Sequence, residues 1–165
     1  MKNIKAKHLD LVKSFPIAIV VSLFNRDITS ALLSGTLDRL SARGIQSNDI
    51  TIVEVPGAME LPLVIQQLAQ LEHYKVVIAL GAVVRGETSH YEYVCQQTSR
   101  GCQKISLKFN LPVVFGVLTT ENEAQAWDRL GGSHGHKGAD AADCALDMYQ
   151  ICNQLTALKS FNPLT

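Results

Sequence analysis

A chain of 165 residues is long enough to bury the core of one domain, and 47% apolar with 18% charged residues is the composition of a globular protein, not a disordered one. Its 15 basic residues balance 15 acidic ones, which excludes the overall basic footprint of a nucleic-acid or anionic-membrane binder and leaves little charge repulsion against self-association. No apolar core of signal-peptide length opens the chain and no stretch approaches the roughly 18 apolar residues of a membrane span, so a cytoplasmic protein is expected.

Residues 1–14 show no sustained period and read as a tail, one able to pair with a neighbouring copy. IAIVVSL at 17–23 reads as a buried strand. Asn25 to Thr29 then offer N-cap chemistry for a helix carrying Ile28, Leu32, Leu33, Leu37 and Leu40, which Gly44 ends as a C′ residue. ITIVEV at 50–55 is a second strand. After Pro56-Gly57 a helix starts near Glu60, with Pro62 tolerated in its first turn. KVVIAL at 75–80 is the third strand, followed by a loop and a helix from about Tyr91 to Lys108. PVVFGVL at 112–118 is the fourth, and Thr120-x-x-Glu123 reads as a capping box for a further helix. The glycine-rich GGSHGHKG at 131–138 interrupts before a last helix over ADAADCALDMYQICNQL.

Strands that are apolar on both faces, each followed by a helix, predict a parallel sheet covered on both sides, with one α/β domain over 15–158 and a short C-terminal tail at 159–165. Cys95, Cys102, Cys144 and Cys152 lack CxxC spacing and lie in helical segments, which predicts reduced, partly buried thiols.

Ligands of such sheets bind at the carboxyl ends of the strands, where the informative residues gather. GAVVRGETSH at 81–90 has the glycine spacing of a P-loop, with Thr88 at the hydroxyl position but Glu87 where the lysine belongs. The wrong charge rules against a triphosphate. A turn at a helix N-terminus still offers amide N–H groups and a favourable dipole, so it reads either as a site for one phosphate or as a tight turn capped by Thr88. His90 reads as a proton-transfer group or as a capping histidine, and Arg85 as a ligand contact or a salt-bridge partner. Glu60 accepts hydrogen bonds from a ligand or simply favours a helix start, and Phe24 is a stacking face or core. Arg129 and Lys137 flank the glycine-rich break as cations for a phosphate or as solvated charges. His134-x-His136 lacks a third ligand at suitable spacing, so no metal is assigned.

Six segments together carry a resemblance: FN at 24–25, VPGAMELP at 55–62, IALGAVVRGETSHYEYV at 78–94, PVVFGVLTT at 112–120, QAWDR at 125–129 and HKGADAA at 136–142. In this order they resemble the 6,7-dimethyl-8-ribityllumazine synthases, transferases of the penultimate step of riboflavin biosynthesis, over about residues 15–155. The resemblance implies a three-layer α/β/α sandwich of flavodoxin-like type with a four-stranded parallel sheet, and a condensation without metal or organic cofactor. It implies that Phe24 stacks on a ribitylaminouracil whose site is lined by Ala58, Met59, Glu60, Ala82, Val83 and Val84. Glu87 and Thr88 would bound the phosphate pocket of a butanone phosphate, and His90 would transfer protons. Phe115, Arg129 and Lys137 would reach in from an adjacent subunit of a pentamer, Arg129 binding the phosphate. Met59 stands where the family's motif has an aromatic residue; Ser133, His134 and His136 stand where it has lysine, alanine and asparagine. That segment influences how pentamers pack, leaving a free pentamer and a sixty-subunit icosahedral shell both open. A non-catalytic flavin or lumazine binder and a shell protein are the alternatives to an enzyme.

Overall fold

A computed structural model describes residues 3–7 and 11–161. The elements are β1 (Ile17–Ser22), α1 (Arg26–Ala42), β2 (Ile50–Val55), α2 (Leu61–Gln70), β3 (Val76–Val84), α3 (His90–Phe109), β4 (Val113–Thr120), α4 (Glu123–Trp127), β5 (Leu130–Gly132), β6 (Gly135–His136) and α5 (Lys137–Phe161). The first four strands pair in parallel in the order β2-β1-β3-β4, while β5 and β6 form a separate antiparallel hairpin.

The period-two alternation of a strand sorts the core into two layers. Ile17, Ile19 and Val21 of β1 join Val76, Ile78 and Leu80 of β3 on one face, under Leu40 of α1 and Ala141, Ala142, Ala145 and Leu146 of α5. Ala18, Val20, Val77 and Ala79 face the other way, against Leu61, Ile65 and Leu68 of α2 and Cys102 and Ile105 of α3. This is the expected three-layer sandwich. Coverage is fullest for the two central strands: β1 is buried along its whole length and β3 from Val76 to Ala82, whereas β2 exposes Thr51, Ile52 and Glu54, and β4 exposes Phe115 and Thr119. Each outer strand has one sheet neighbour, so apolar sequence there does not guarantee burial.

Helix α1 ends as expected. Gly44 has φ +95, and the amides of Gly44 and Ile45 donate to the Ser41 and Leu40 carbonyls, the paired bonds of a Schellman cap. Helices α1 and α5 approach closely because Gly138 has no side chain; a Cβ there would lie 2.2 Å from the Leu32 carbonyl oxygen. The Thr36 hydroxyl lies 2.8 Å from Leu32 O and 3.0 Å from Gly138 O at this crossing.

Three local expectations are corrected. Asn25 sits at the N-cap of α1 in a left-handed conformation (φ 56, ψ 50), yet its side chain caps no helix amide. The capping box lies two residues later than expected. Thr120 is held in β4 opposite Val84, and Asn122 Oδ1 accepts from the Gln125 amide at 2.9 Å while Gln125 Oε1 accepts from the Glu121 amide. The glycine-rich stretch is not an irregular break but the β5–β6 hairpin, and α5 begins at Lys137, earlier than its apolar pattern indicates. Residues 3–7 lie along α5 of the same chain, where the Lys7 amide donates to Gln150 Oε1 at 2.8 Å and Gln154 Nε2 donates to Lys5 O at 2.9 Å. All four cysteines are free and helical; Cys102 is buried, Cys95 and Cys152 are half-buried and Cys144 is exposed.

Candidate active site

The crossover from β1 to β2 runs to one side of the sheet and that from β2 to β3 returns past β1, so the chain reverses direction between β1 and β3. Their carboxyl ends mark the switch point where open α/β sheets bind ligands. A cleft of about 450 Å³ lies there, lined by Phe24, Gly57, Ala58, Met59, Glu60, Ala82, Val83, Val84, Gly86, Thr88, His90, Tyr91 and Val94.

Its first wall is the turn after β1. The Phe24 amide donates to the Pro56 carbonyl at 3.0 Å, which fixes the backbone while the ring is 71% exposed. Asn25 Nδ2 donates to the Ala82 carbonyl at 2.9 Å, tying the same turn to β3. Phe24 is therefore a presented aromatic face, not core.

The second wall is a 3-10 turn, Ala58–Glu60, leading into α2. Ala58 is buried, whereas Met59 is 45% exposed beside the cleft. Glu60 occupies the N-cap position of α2 without a side-chain capping bond, so its carboxylate is not spent on the helix amides.

The floor and third wall come from β3 and the start of α3. Ala82 is buried and Val83 and Val84 are half-buried, while residues 85–90 are all exposed. Helix α3 is 20 residues long and begins at His90, so its positive dipole end borders the cleft beside Thr88. The His90 amide donates to Thr88 Oγ1 at a long 3.4 Å. Burial pushes the Tyr91 phenol above its ordinary range, Cys95 adds to the rise and a hydrogen bond with Thr119 opposes it.

Of the residues singled out in the sequence, Phe24, Ala58, Met59, Glu60, Ala82, Val83, Val84, Thr88 and His90 converge on this cleft. Glu87 is exposed next to it without lining it. Phe115 and Lys137 line a different cleft of about 550 Å³, along β4 and between α3 and α5. Lys137 Nζ donates there to Asp140 Oδ2 at 2.7 Å. Arg129 lines neither cleft and donates from Nη1 to the Gln125 carbonyl at 2.8 Å. The switch-point cleft thus has a carboxylate and an imidazole among its lining residues but no lysine or arginine.

The two histidines of the hairpin face different partners. His134 pairs with Asp128, which also accepts from the Ser133 amide and hydroxyl at 2.9 Å each; the imidazole first, and then Ser133, hold the Asp128 carboxyl below its ordinary range. The His136 ring packs on α1, where a Cβ on Gly35 would lie 2.0 Å from its Cε1.

Sequence reasoning did not find Gly57, Gly86, Tyr91 or Val94 as lining residues, nor the role of Asn25. Tyr91 and Val94 were visible only as the fourth and seventh residues after Glu87, one turn apart on the helix that opens at the cleft. Arg85 resolves as a salt-bridge partner, bonded to Glu92 and, at 2.5 Å, to Glu121.

The model of the family described as 6,7-dimethyl-8-ribityllumazine synthase matches residues 14–153. Two proteins of that name from Coxiella burnetii, strains CbuG_Q212 and RSA 493 / Nine Mile phase I, are each 53% identical over 142 residues, covering 86% of this chain and 94% of the relative. A third, from strain Dugway 5J108-111, is 51% identical over the same length. With a matching fold, a cleft at the expected switch point and this similarity over most of its length, the chain belongs to the 6,7-dimethyl-8-ribityllumazine synthase family.

Proposed function

We propose that the chain condenses 5-amino-6-(D-ribitylamino)uracil with L-3,4-dihydroxy-2-butanone 4-phosphate to 6,7-dimethyl-8-ribityllumazine, releasing one phosphate and two waters. The observation that carries the reading is the division of parts. One cleft presents an aromatic face, a free carboxylate and an imidazole at a helix start, while the cations and the second aromatic residue lie away from it.

Phe24 stacks on the pyrimidine, with Ala58, Met59, Ala82, Val83 and Val84 packing around it and Glu60 accepting from its polar groups. The primary amine attacks the ketone and loss of water gives an imine. Removal of the proton next to the imine carbon as phosphate departs leaves an enol, and its ketone tautomer is attacked by the ribitylamino nitrogen with loss of the second water. His90 moves these protons, at a distance from the phosphate set by the α3 start that both share. Thr88, Glu87 and the first amides of α3 bound the phosphate.

A dianion held by amides and a hydroxyl alone lacks a counter-charge, so Arg129 and Lys137 of an adjacent subunit complete the clamp, and Phe115 of that subunit closes the pyrimidine site. The open edge of β4, with Phe115 40% exposed above an uncovered cleft, is the surface for that neighbour. The working unit is a pentamer in the cytoplasm. No helix among the described residues is long and apolar enough to cross a membrane.

Mixing the purified protein with both substrates and following lumazine absorbance and phosphate release tests the reading. Stoichiometric phosphate and lumazine above the spontaneous rate are expected. Tight riboflavin binding without turnover would replace the enzyme with a binding protein.

A further inference from the structure

The loop that presents Thr88 and His90 has no packing of its own. Residues 85–90 are exposed, and a Cβ built on Gly86 meets nothing within 4 Å. The internal bonds across it are the long Thr88–His90 contact and a 3.1 Å bond from the Glu92 amide to the Ser89 carbonyl. Such a segment is held by its ends or not at all.

Both ends meet at one side chain. The Arg85 amide donates to the Thr120 carbonyl at 2.9 Å, which continues the β3–β4 ladder. The Arg85 guanidinium bonds to Glu92 in the first turn of α3 and, through Nε at 2.5 Å, to Glu121 in the turn after β4. Its carbon lies 4.2 Å from the centre of the Tyr91 ring, within cation–π range, and Tyr91 itself lines the cleft. Three elements, β3, α3 and the β4–α4 turn, are thus clasped by one planar fork. The two carboxylates hold the guanidinium above its ordinary pKa, the Glu92 bond contributing most.

We propose that Arg85 is a positioning residue for the reaction, fixing the loop so that the Thr88 hydroxyl and the His90 imidazole stand in register with the bound substrates. The proposal rests on the synthase reading above. It assigns Arg85 no contact with substrate. A lysine is a point charge that cannot stack on Tyr91 and bridge two carboxylates at once, so Arg85→Lys keeps the sign of the charge but not the clasp.

The test compares Arg85→Met, Arg85→Lys and the double variant Glu92→Gln/Glu121→Gln in the full-length protein. It reads kcat, KM for each substrate, and amide hydrogen exchange of residues 92–95, the first bonded amides of α3. Loss of register predicts that Arg85→Met and the double variant each lower kcat on the order of 10- to 100-fold, with KM for the phosphate substrate raised in both as Thr88 shifts and KM for the pyrimidine substrate little changed. Exchange of 92–95 quickens in both, and Arg85→Lys falls between them and the wild type. The double variant carries the discrimination, because it frees the guanidinium without removing it. If Arg85 gripped the phosphate directly, freeing it would lower KM for the phosphate substrate and leave kcat intact, while Arg85→Met would raise that KM; this pattern overturns the proposal. Unchanged exchange in Arg85→Met also overturns it. A wild-type protein without turnover would sink the synthase reading instead, and the exchange comparison would still decide whether the clasp exists.

Discussion

Asn25 and Ala82 lie 57 positions apart, yet the Asn25 side-chain amide donates to the Ala82 carbonyl at 2.9 Å and fastens the turn that presents Phe24 to the strand that leads to His90. Together with the β1–β3 pairing, this bond sets the relation between the aromatic face and the loop that presents His90. Asparagine suits the position twice, because it tolerates the left-handed backbone found there (φ 56) and carries the donor.

Replacing Asn25 separates these contributions. Asn25→Gly keeps the backbone and loses the bond, and is expected to lower unfolding free energy by about 1 kcal/mol; Asn25→Ala adds left-handed strain for a total of about 2 kcal/mol. Urea midpoints at constant m-value measure both. In each variant KM for the pyrimidine substrate rises as Phe24 loses its fixed position, and equal KM values in variant and wild type would detach Asn25 from the site.

The buried Cys102 thiol, pushed up to about 11 by burial, is in its unreactive protonated form at neutral pH. Burial likewise raises the half-buried Cys95, as the leading cause. Brief iodoacetamide treatment at pH 7 followed by peptide mass analysis is expected to leave Cys102 unlabelled in the native protein and to label it in urea. Rapid native labelling of Cys102 would place it outside the α2–α3 core.

Acid acts on the Arg85 clasp in a defined direction. The Arg85 hydrogen bond, then a backbone bond, holds the Glu92 carboxyl below its ordinary range in the folded protein. A depressed folded value means that the unfolded chain takes up the proton first, so the stabilisation is complete above the ordinary glutamate pKa of about 4.3 and fades as pH falls through the folded value. The difference in urea midpoint between wild type and Glu92→Gln is therefore expected to stay constant from pH 8 to about 5.5 and to shrink only in the acid range. A difference that vanished between pH 7 and 6 would mean that another group controls the clasp.

Much of this architecture was legible from local pattern. The unbroken apolar runs of β1 and β3 gave buried central strands, and Gly44 gave a true C′ position. What escaped were contacts between residues remote in sequence. Asn25 looked like a helix cap because capping is the local use of asparagine, and only the fold brings Ala82 within reach. Thr120 looked like a cap until its pairing opposite Val84 kept it in the sheet. Segment order likewise does not show that Phe115 and Lys137 border a cleft other than the one His90 lines, because that depends on where β4 ends up at the sheet edge.

If the switch-point cleft of one copy works only with the cations of the next, as proposed, two defective variants co-assembled restore each other. His90→Ala lacks the proposed proton-transfer group and Arg129→Ala lacks the proposed phosphate cation, so each alone is expected to lose about 100-fold or more in kcat/KM. Unfolding and refolding the two together at equal ratio distributes them randomly around the proposed ring. If His90 and Arg129 of one site come from adjacent copies, about one site in four regains both groups and activity returns to about a quarter of wild type. If both came from the same copy, every site would stay defective, and activity no higher than that of the two variants refolded separately would contradict the shared site.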